Sequence, residues 1–272
     1  MEIKAADVAK LRKMTGAGMM DCKKALIEAE GDYAKAQDII REKGKLVAAK
    51  RADRSATEGV VVSKIVGGKG YMLCLACETD FVAKNSEFSA TANEILEIAV
   101  KADAADLEAL KAVSVEAGRT VADKVTEKSG QTGEKVELVY YAKIEAPMCV
   151  TYIHTNHKLG VLVGFNKEIA METAKDVAMQ AAAMAPIAID RGDCDPAVVE
   201  KEREIGREQA RLDGKPEAML DKIAEGKVNK FLTENTLNQP LVKNNKISVG
   251  AYIKQADAEA TVVAYKRFSL ND

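Results

Sequence analysis

The spacing of apolar and polar positions divides the chain into a helical beginning and a mixed remainder. Within residues 1–54, apolar side chains recur at helical spacing in three short segments, and glycine-containing turns separate these segments. Asp32 stands where the N-cap of the third helix is expected. The pattern predicts a minimal three-helix bundle. A basic tail, residues 41–54, follows, and we interpret it as a solvated, mobile linker.

A β hairpin and a long helix follow the bundle. Two apolar runs, residues 60–66 and 71–77, flank a glycine-rich turn, which is typical of two buried strands. Farther along, apolar positions step by three and four residues, as they do on one face of a helix: Phe88, Ala92, Ile95, Ala99 and Ala102.

The joint between this strand and this helix, residues 79–85, places a carboxylate beside an aromatic ring. Thr79 or Asp80 can cap the first turn there, and Asn85 or Ser86 can cap the longer helix. Two interpretations of the ring compete. Phe81 is either a hydrophobic staple packed onto its own helix, which the local pattern favours, or a side chain that the scaffold presents to a partner.

Strand-like and helical segments recur in the second half of the chain. Residues 136–145 open a group of three strand-like segments that ends at residue 165, and a helix that stops before Pro186 follows. Because residues 59–102 show the same order of strands and then helix, we expect two related subdomains, a loose internal repeat. Residues 130–133 are expected to form a loop between them.

The last part of the chain predicts a helical hairpin and two strands. Residues 196–212 and 217–236 are both helical in pattern, and a Gly-Lys-Pro turn separates them. We expect an antiparallel hairpin that projects from the core, with a simple helical lid on the core as the alternative. Ile247–Ile253 and Thr261–Phe268 are expected to be strands.

Composition narrows the class of protein. The chain has 272 residues and a formal net charge of −2, so its total charge gives no reason to expect bulk binding to nucleic acid or anionic lipid. No apolar run approaches the roughly 20 residues that a membrane helix needs, and Met1–Asp7 lacks the apolar core of a signal peptide. Five scattered cysteines suit reduced, buried thiols. We expect a soluble cytoplasmic protein.

Two groups of residues raise the question of chemistry at a site. Cys74 and Cys77 have the spacing of a redox pair, but both fall inside a strand, on opposite faces, where buried packing is favoured. The only two histidines, His154 and His157, supply two ligands at most, and we therefore expect no specific metal site.

Residues 78–85 read Glu-Thr-Asp-Phe-Val-Ala-Lys-Asn, and this block resembles the signature of the bacterial elongation factor Ts family. Further blocks resemble the same family in the same order: residues 11–26, 152–163, 214–217, 222–227 and 238–243. The chain departs from the family pattern in one loop. The family usually has Gly-Glu-Asn with Ile and a basic pair there, whereas residues 133–137 read Gly-Glu-Lys-Val-Glu, and this departure leaves the contacts of that loop open.

The resemblance implies an α+β fold. A three-helix, ubiquitin-associated-like (UBA-like) domain with its basic linker would occupy residues 1–54. A two-part α/β core built from related strand-helix subdomains would follow, with its first part at residues 55–135 and its second at residues 136–191 and 237–272. Residues 192–236 would form an inserted antiparallel coiled-coil hairpin.

The resemblance also implies a function. Members of this family are guanine-nucleotide exchange factors, so the chain would act on a GTPase without making or breaking a bond itself. It would bind elongation factor Tu in its GDP-bound and nucleotide-free forms, disturb the Mg²⁺ and phosphate site, and promote GDP release during translation elongation. We expect no cofactor, metal, small-molecule substrate, membrane or nucleic acid as a ligand. Whether the hairpin forms a homodimer is left open by the resemblance.

The residues that match the family motifs supply candidate sites. The resemblance implies that Mg²⁺ dislocation from elongation factor Tu rests on four consecutive residues, Thr79, Asp80, Phe81 and Val82. It implies additional partner contacts at Arg12, Met19, Met20, Ala83 and His154. We hypothesise that Phe81 is a wedge and that the Asp80 carboxylate disturbs the ligands of the metal. Because the N-terminal bundle is small, we expect either Met19 or Met20 to fill its core.

Two other classes of function remain as alternatives. Residues 1–54 hold 13 Lys and Arg against 9 Asp and Glu, a net charge of +4, so the basic tail at residues 41–54 could contact RNA. The absence of interleaved aromatic residues argues against it. A thiol enzyme that uses Cys74 and Cys77 would require a depressed thiolate pKa.

Overall fold

The computed structural model describes residues 3–116 and 118–272, so the first two residues of the expected N-terminal domain lie outside the described residues. Three helices come first: α1 (Ala5–Thr15), α2 (Met19–Glu28) and α3 (Tyr33–Lys50). Asp32 caps α3 as predicted, because its side chain accepts the N–H groups of Ala34 and Lys35. The three helices share a small apolar core that includes Val8, Leu11, Cys22, Leu26 and Ala36.

The first half of the core is an antiparallel sheet covered by a helix. Its elements are β1 (Glu58–Val66), β2 (Lys69–Cys77), α4 (Asp80–Ala83), α5 (Ser86–Ala102), α6 (Leu107–Ala112), α7 (Val121–Thr132) and β3 (Glu137–Glu145). The strands lie in the order β1-β2-β3, which confirms the predicted hairpin. One face of the sheet packs on α5 through buried side chains such as Leu73, Leu75, Phe88 and Ile95.

The position of β3 corrects the sequence-based grouping, which placed residues 136–145 with the second half of the core. The backbone of β3 pairs with β2, so that Tyr141 lies opposite Leu73 and Ala142 opposite Met72. Leu138 and Tyr141 are buried in the first apolar core. Apolar alternation predicts a strand, but it carries no information about which edge that strand joins.

The second half of the core repeats this arrangement. Strands β4 (Met148–Ile153), β5 (Leu159–Phe165) and β8 (Val262–Ser269) form an antiparallel sheet in the order β4-β5-β8, and α8 (Met171–Met184) covers one face. The uncovered faces of the two sheets pack against each other through Val61, Met72, Cys74, Ile144, Cys149 and Leu162. The core therefore has four layers, with two sheets inside and helices outside.

A helical hairpin is inserted between α8 and β8. It consists of α9 (Pro196–Leu212) and α10 (Glu217–Asn235), which run antiparallel. The helices approach closely at Gly206, where an added Cβ would lie 3.1 Å from the Ala224 Cα. Ion pairs join the two helices on the surface: Arg203 with Glu225, Arg207 with Asp221 and Arg211 with Glu217.

The segment after the hairpin contains a helix where we expected a strand. Short strands β6 (Pro240–Leu241) and β7 (Asn244–Ser248) precede α11 (Val249–Ala256), so the expected strand Ile247–Ile253 is wrong beyond Ser248. The Ser248 hydroxyl accepts the Ala251 N–H at 3.1 Å and caps the helix. Val249 and Ile253, four residues apart, are buried on one helical face, a spacing that strand alternation also permits.

The N-terminal bundle docks directly on the core through α3 and α7. Where α3 crosses α7, a Cβ added to Gly130 would lie 2.5 Å from the Gly44 Cα, so only glycine permits this approach. The Gln131 side chain also donates to the Thr15 carbonyl at 2.7 Å. Two expectations are therefore wrong: residues 41–50 belong to a packed helix and not to a mobile linker, and residues 130–132 belong to α7 and not to a loop.

We predict that Gly130→Ala destabilises the protein by about 1–3 kcal/mol, because the new methyl group overlaps the α3 backbone. Gly226→Ala in α10 is the matched control, since no atom lies within 4 Å of its Cβ position. Helix propensity should make that change stabilising by about 0.5–1 kcal/mol. Chemical unfolding measures both. Equal effects of the two substitutions would contradict the close helix crossing.

Asp103 joins the end of α5 to the first sheet. Its carboxylate accepts hydrogen bonds from Lys69 Nζ at 2.6 Å, Tyr71 Oη at 2.9 Å and Lys143 Nζ at 3.1 Å. These donors, Lys69 first, hold the pKa of the Asp103 carboxyl well below its usual range. Asp103 also ends α5 in the left-handed conformation, with φ of 46°, which Asn tolerates as well.

A depressed pKa in the folded state gives stability that is fully present above the unfolded pKa of about 3.9 and is lost as the pH falls through the folded pKa. We therefore predict that Asp103→Asn lowers stability at neutral pH and reduces the loss of stability between about pH 4 and pH 2. Unfolding free energies measured across this range test the prediction. Parallel curves for the two proteins would contradict the assignment to Asp103.

Candidate protein-docking site

Two helix caps fix the joint at residues 79–85. The Thr79 hydroxyl accepts the Val82 N–H at 3.4 Å and caps α4, and the Asn85 side chain accepts the Glu87 N–H at 2.8 Å and caps α5. Both caps were among those predicted from the sequence. The chain therefore leaves β2, makes one helical turn and enters α5 along a defined path.

Phe81 points away from the core on this turn. A four-residue helix can turn only one side toward the core. Val82 and Ala83 lie on that side and pack against the first apolar core. The Phe81 side chain is left 84% exposed, the highest value for a large apolar residue among those the structure describes. The staple interpretation is therefore wrong. Exposing a whole aromatic ring forgoes about 1.5–3 kcal/mol of burial, which favours a use outside the fold.

Asp80 lies next to this ring and carries a stable negative charge. Lys84 Nζ donates to the carboxylate at 2.6 Å, and this hydrogen bond and charge lower the pKa of Asp80 below its usual range. Lys84 is largely exposed and Asp80 about half exposed. Exposed ion pairs contribute little to stability, so a partner can replace Lys84 at little cost.

The loop that follows α7 holds the joint in place. The Glu134 carboxylate accepts the N–H groups of Glu78 at 3.1 Å and Thr79 at 3.0 Å, and the Thr79 hydroxyl at 2.6 Å. In return, the Glu78 carboxylate accepts the Lys135 N–H at 2.6 Å. Sequence reasoning missed Glu134, because a surface acid in a loop gives no local sign that it bonds a segment more than fifty residues away.

The turn between β4 and β5 lies on the same side as Asp80. The His157 carbonyl accepts the Val61 N–H at 2.7 Å, which anchors this turn to β1. A cleft of about 560 Å³ between the turn and the joint is lined by residues that include Asp80, Lys84, Asn156 and His157. His154 is exposed on the turn beside this cleft, and its Nδ1 lies 2.9 Å from the Tyr152 hydroxyl.

Arg12 and Met19 lie at a second cleft, of about 550 Å³, between the bundle and the core. The α5 residues Glu87 and Glu94 line it, whereas Ser89 and Asn93 of the same helix line the Asp80 cleft. The N-terminal half of α5 thus separates the two clefts, with Asp80 at one and Arg12 and Met19 at the other.

The pair of methionines at the start of α2 is exposed. Met19 is 45% and Met20 63% accessible, so the expectation that one of them fills the bundle core is wrong. Leu11, Cys22 and Leu26 are the fully buried larger side chains of that core. Two adjacent, flexible and polarizable side chains therefore remain available for contact with a partner.

The environment of Cys74 and Cys77 argues against the alternative of a thiol enzyme. Cys74 and Cys77 belong to apolar clusters on opposite faces of β2. Burial raises the pKa of each thiol to about 12, whereas a thiol nucleophile needs a depressed value. The described residues contain no cluster of three or more His, Cys, Asp or Glu placed to hold a metal ion.

The basic tail is largely neutralised by acids, which weakens the RNA alternative. Arg41 pairs with Asp38, Lys43 with Asp21, Lys45 with Glu42 and Arg51 with Glu78. A phosphate backbone would have to displace these carboxylates. In the part of the chain that the structure describes, no helix has the length and apolar character needed to cross a membrane.

Comparison with known proteins gives a consistent result. A family model described as Elongation factor TS matches residues 78–272, beginning at the first residue of the joint motif. The chain is 48% identical to Elongation factor Ts of Christiangramia forsetii over 274 residues, covering 99% of each chain. It is 46% identical to Elongation factor Ts of Porphyromonas gingivalis, covering 100% of this chain and 99% of the relative. These relatives include the N-terminal bundle, which lies outside the family model.

We predict that Phe81→Ala changes the free energy of unfolding by no more than about 0.5 kcal/mol, because the ring contributes little to the fold. Phe88→Ala is the matched comparison, since Phe88 is 1% exposed on α5 and its truncation should cost about 3–5 kcal/mol. Denaturant unfolding gives both values. A large loss of stability in Phe81→Ala would mean that the ring packs on its own protein.

Proposed function

The chain belongs to the elongation factor Ts family, and we propose that it is a guanine-nucleotide exchange factor that releases GDP from elongation factor Tu. The observation that carries this proposal is the exposed Phe81 ring on a turn fixed at both ends by caps. An aromatic side chain has only two torsion angles to fix on binding, and aromatic residues on a fixed backbone are typical anchors of protein interfaces.

Exchange follows from thermodynamic linkage. A factor that binds the nucleotide-free GTPase more tightly than the GDP form must weaken GDP binding by the same ratio. Equal affinity for both forms would shift nothing, so the contacts must favour the open form of the GTPase. No bond is made or broken, and the proposed role is therefore that of a binding protein and not of an enzyme.

The Asp80–Phe81 turn is suited to this differential contact. Mg²⁺ holds GDP phosphates through near-octahedral oxygen ligands at short distances. A small displacement of one ligand therefore weakens the binding of the ion. We propose that Phe81 enters the GTPase domain beside the Mg²⁺ site and that the ionised Asp80 carboxylate acts on the ligand shell. Thr79, Val82 and Ala83 hold the turn in position.

Other residues would make additional contacts with the same partner. Arg12 and Met19, on the other side of α5 from Asp80, offer a charged and an adaptable apolar contact on the bundle, and the exposed Met20 extends the apolar contact. His154 would contact the partner from the turn between β4 and β5. We propose that both the GDP-bound and the nucleotide-free forms of elongation factor Tu are bound through this surface.

Several features of the architecture belong to the same proposal. The bundle at residues 1–54 is proposed to be a UBA-like domain and the hairpin at residues 192–236 an antiparallel coiled coil. The core would divide into residues 55–145, which include β3 of the first sheet, and residues 146–191 with 237–272. We propose a cytoplasmic protein without a small-molecule substrate. Sedimentation of the purified protein would show whether it forms a homodimer through the hairpin.

We predict that Phe81→Ala and Asp80→Ala each slow GDP release by roughly tenfold or more, because an interface anchor contributes about 2 kcal/mol. The measurement is release of a fluorescent GDP analogue from purified elongation factor Tu, with excess unlabelled GDP. Leu212→Ala is the control, since this apolar side chain is 79% exposed at the end of α9.

Acceleration by the unaltered protein and by Leu212→Ala, with loss in the two joint variants, would support the proposal. Acceleration that survives both joint substitutions would keep the exchange function and move its mechanism to other contacts. Absence of any acceleration by the folded, unaltered protein would contradict the proposed function.

A further inference from the structure

We propose that Glu134 is a positioning residue for the Asp80–Phe81 turn, and that Glu78 and Arg51 connect the N-terminal bundle to the same point. This inference rests on the proposed exchange function. Glu134 agrees with the Glu of the family's usual Gly-Glu-Asn, and the departure begins at Lys135, but none of the roles that the resemblance implies falls on Glu134.

Glu134 provides hydrogen-bond acceptors at the place where the first sheet ends. The last residue of β2 paired to β3 is Ala76, which lies opposite Glu137. The next N–H groups that face this edge belong to Glu78 and Thr79, and both donate to Glu134 Oε2. One side chain therefore continues the hydrogen bonding of the strand by two residues, up to the start of α4.

The third hydrogen bond controls the helix cap. A threonine hydroxyl has one proton to donate and two lone pairs to accept with. Because the Thr79 hydroxyl donates its proton to Glu134 Oε1 at 2.6 Å, a lone pair stays available for the Val82 N–H. Glu134 thus orients the cap of α4, the four-residue helix that carries both Asp80 and Phe81.

The partner carboxylate of this network reaches the bundle. The Glu78 carboxylate accepts the Lys135 N–H at 2.6 Å and the Arg51 guanidinium at 2.9 Å, and these donors, the Lys135 N–H first, lower its pKa. Arg51 is the C-cap residue directly after α3, and Lys135 Nζ donates to the Ala52 carbonyl at 3.0 Å. The bundle, the loop after α7 and the joint therefore meet at one set of hydrogen bonds.

Three variants separate positioning from general stability. Glu134→Ala removes all three acceptor contacts. Glu134→Gln keeps a side-chain oxygen for the two N–H groups, and its amide can donate to the Thr79 hydroxyl, which then accepts two hydrogen bonds. Glu137→Ala is the control, since this nearby acid pairs on the surface with Lys135 at 3.3 Å.

Two measurements are made on each full-length variant. Hydrogen exchange of residues 78–85 in the free protein reports whether the turn is held, without any partner. Titration of elongation factor Tu·GDP with the variant separates the maximal rate of GDP release from the half-saturating concentration. Global unfolding is followed in parallel to confirm that each variant is folded.

We expect Glu134→Ala to speed hydrogen exchange at the turn and to lower the maximal release rate by about tenfold or more, with a smaller change in half-saturation. Glu134→Gln should recover most of the rate, and Glu137→Ala should resemble the unaltered protein. In the background of Asp80→Ala with Phe81→Ala, adding Glu134→Ala should cause no further loss, because Glu134 acts through those side chains.

The positioning role is overturned if Glu134→Ala leaves the maximal rate unchanged, or if it causes an equal further loss when Asp80 and Phe81 are already truncated. Failure of the proposed function gives a different result, since the unaltered protein would then accelerate nothing. The hydrogen-exchange effect of Glu134→Ala would still be present in that case, because it needs no partner.

Discussion

The constraint on which the site depends is the end of a strand. When β2 leaves the sheet after Cys77, its next backbone N–H groups have no strand partner, and unpaired polar groups beside a buried core are costly. The carboxylate of Glu134 provides the missing acceptors and also orients the Thr79 cap. This arrangement fixes the direction of α4. The helix is therefore held by hydrogen bonds that do not involve the exposed Phe81 side chain.

The layers of the core below the joint support the turn that carries Phe81. Two sheets packed face to face, with α5 and α8 outside, give the joint a support that extends through the whole core. The bundle is held to this support by the glycine crossing of α3 and α7 and by Arg51. In the proposed function, contacts made by the bundle and by Phe81 would therefore act on a partner from two parts of the protein that are packed together, which suits a protein that must favour one state of that partner over another.

Much of the local structure followed from the sequence. Thr79, Asn85 and Asp32 were predicted as caps because capping depends on a few neighbouring residues. Features set by distant residues were not predictable in this way. The partner of β3, the packing of α3 on α7 and the role of Glu134 all depend on contacts between segments far apart in the chain. Val249 and Ile253 were assigned to a strand because a spacing of four fits both periods.

The central claim is that the Phe81 turn recognises the nucleotide-free state of elongation factor Tu in preference to the GDP state. The most direct test is to measure the dissociation constants of this protein for both states by titration calorimetry, with and without Phe81→Ala. We predict that the unaltered protein binds the nucleotide-free form far more tightly and that Phe81→Ala brings the two constants close together. A ratio that Phe81→Ala leaves unchanged would contradict it, because the ring would then bind both states equally.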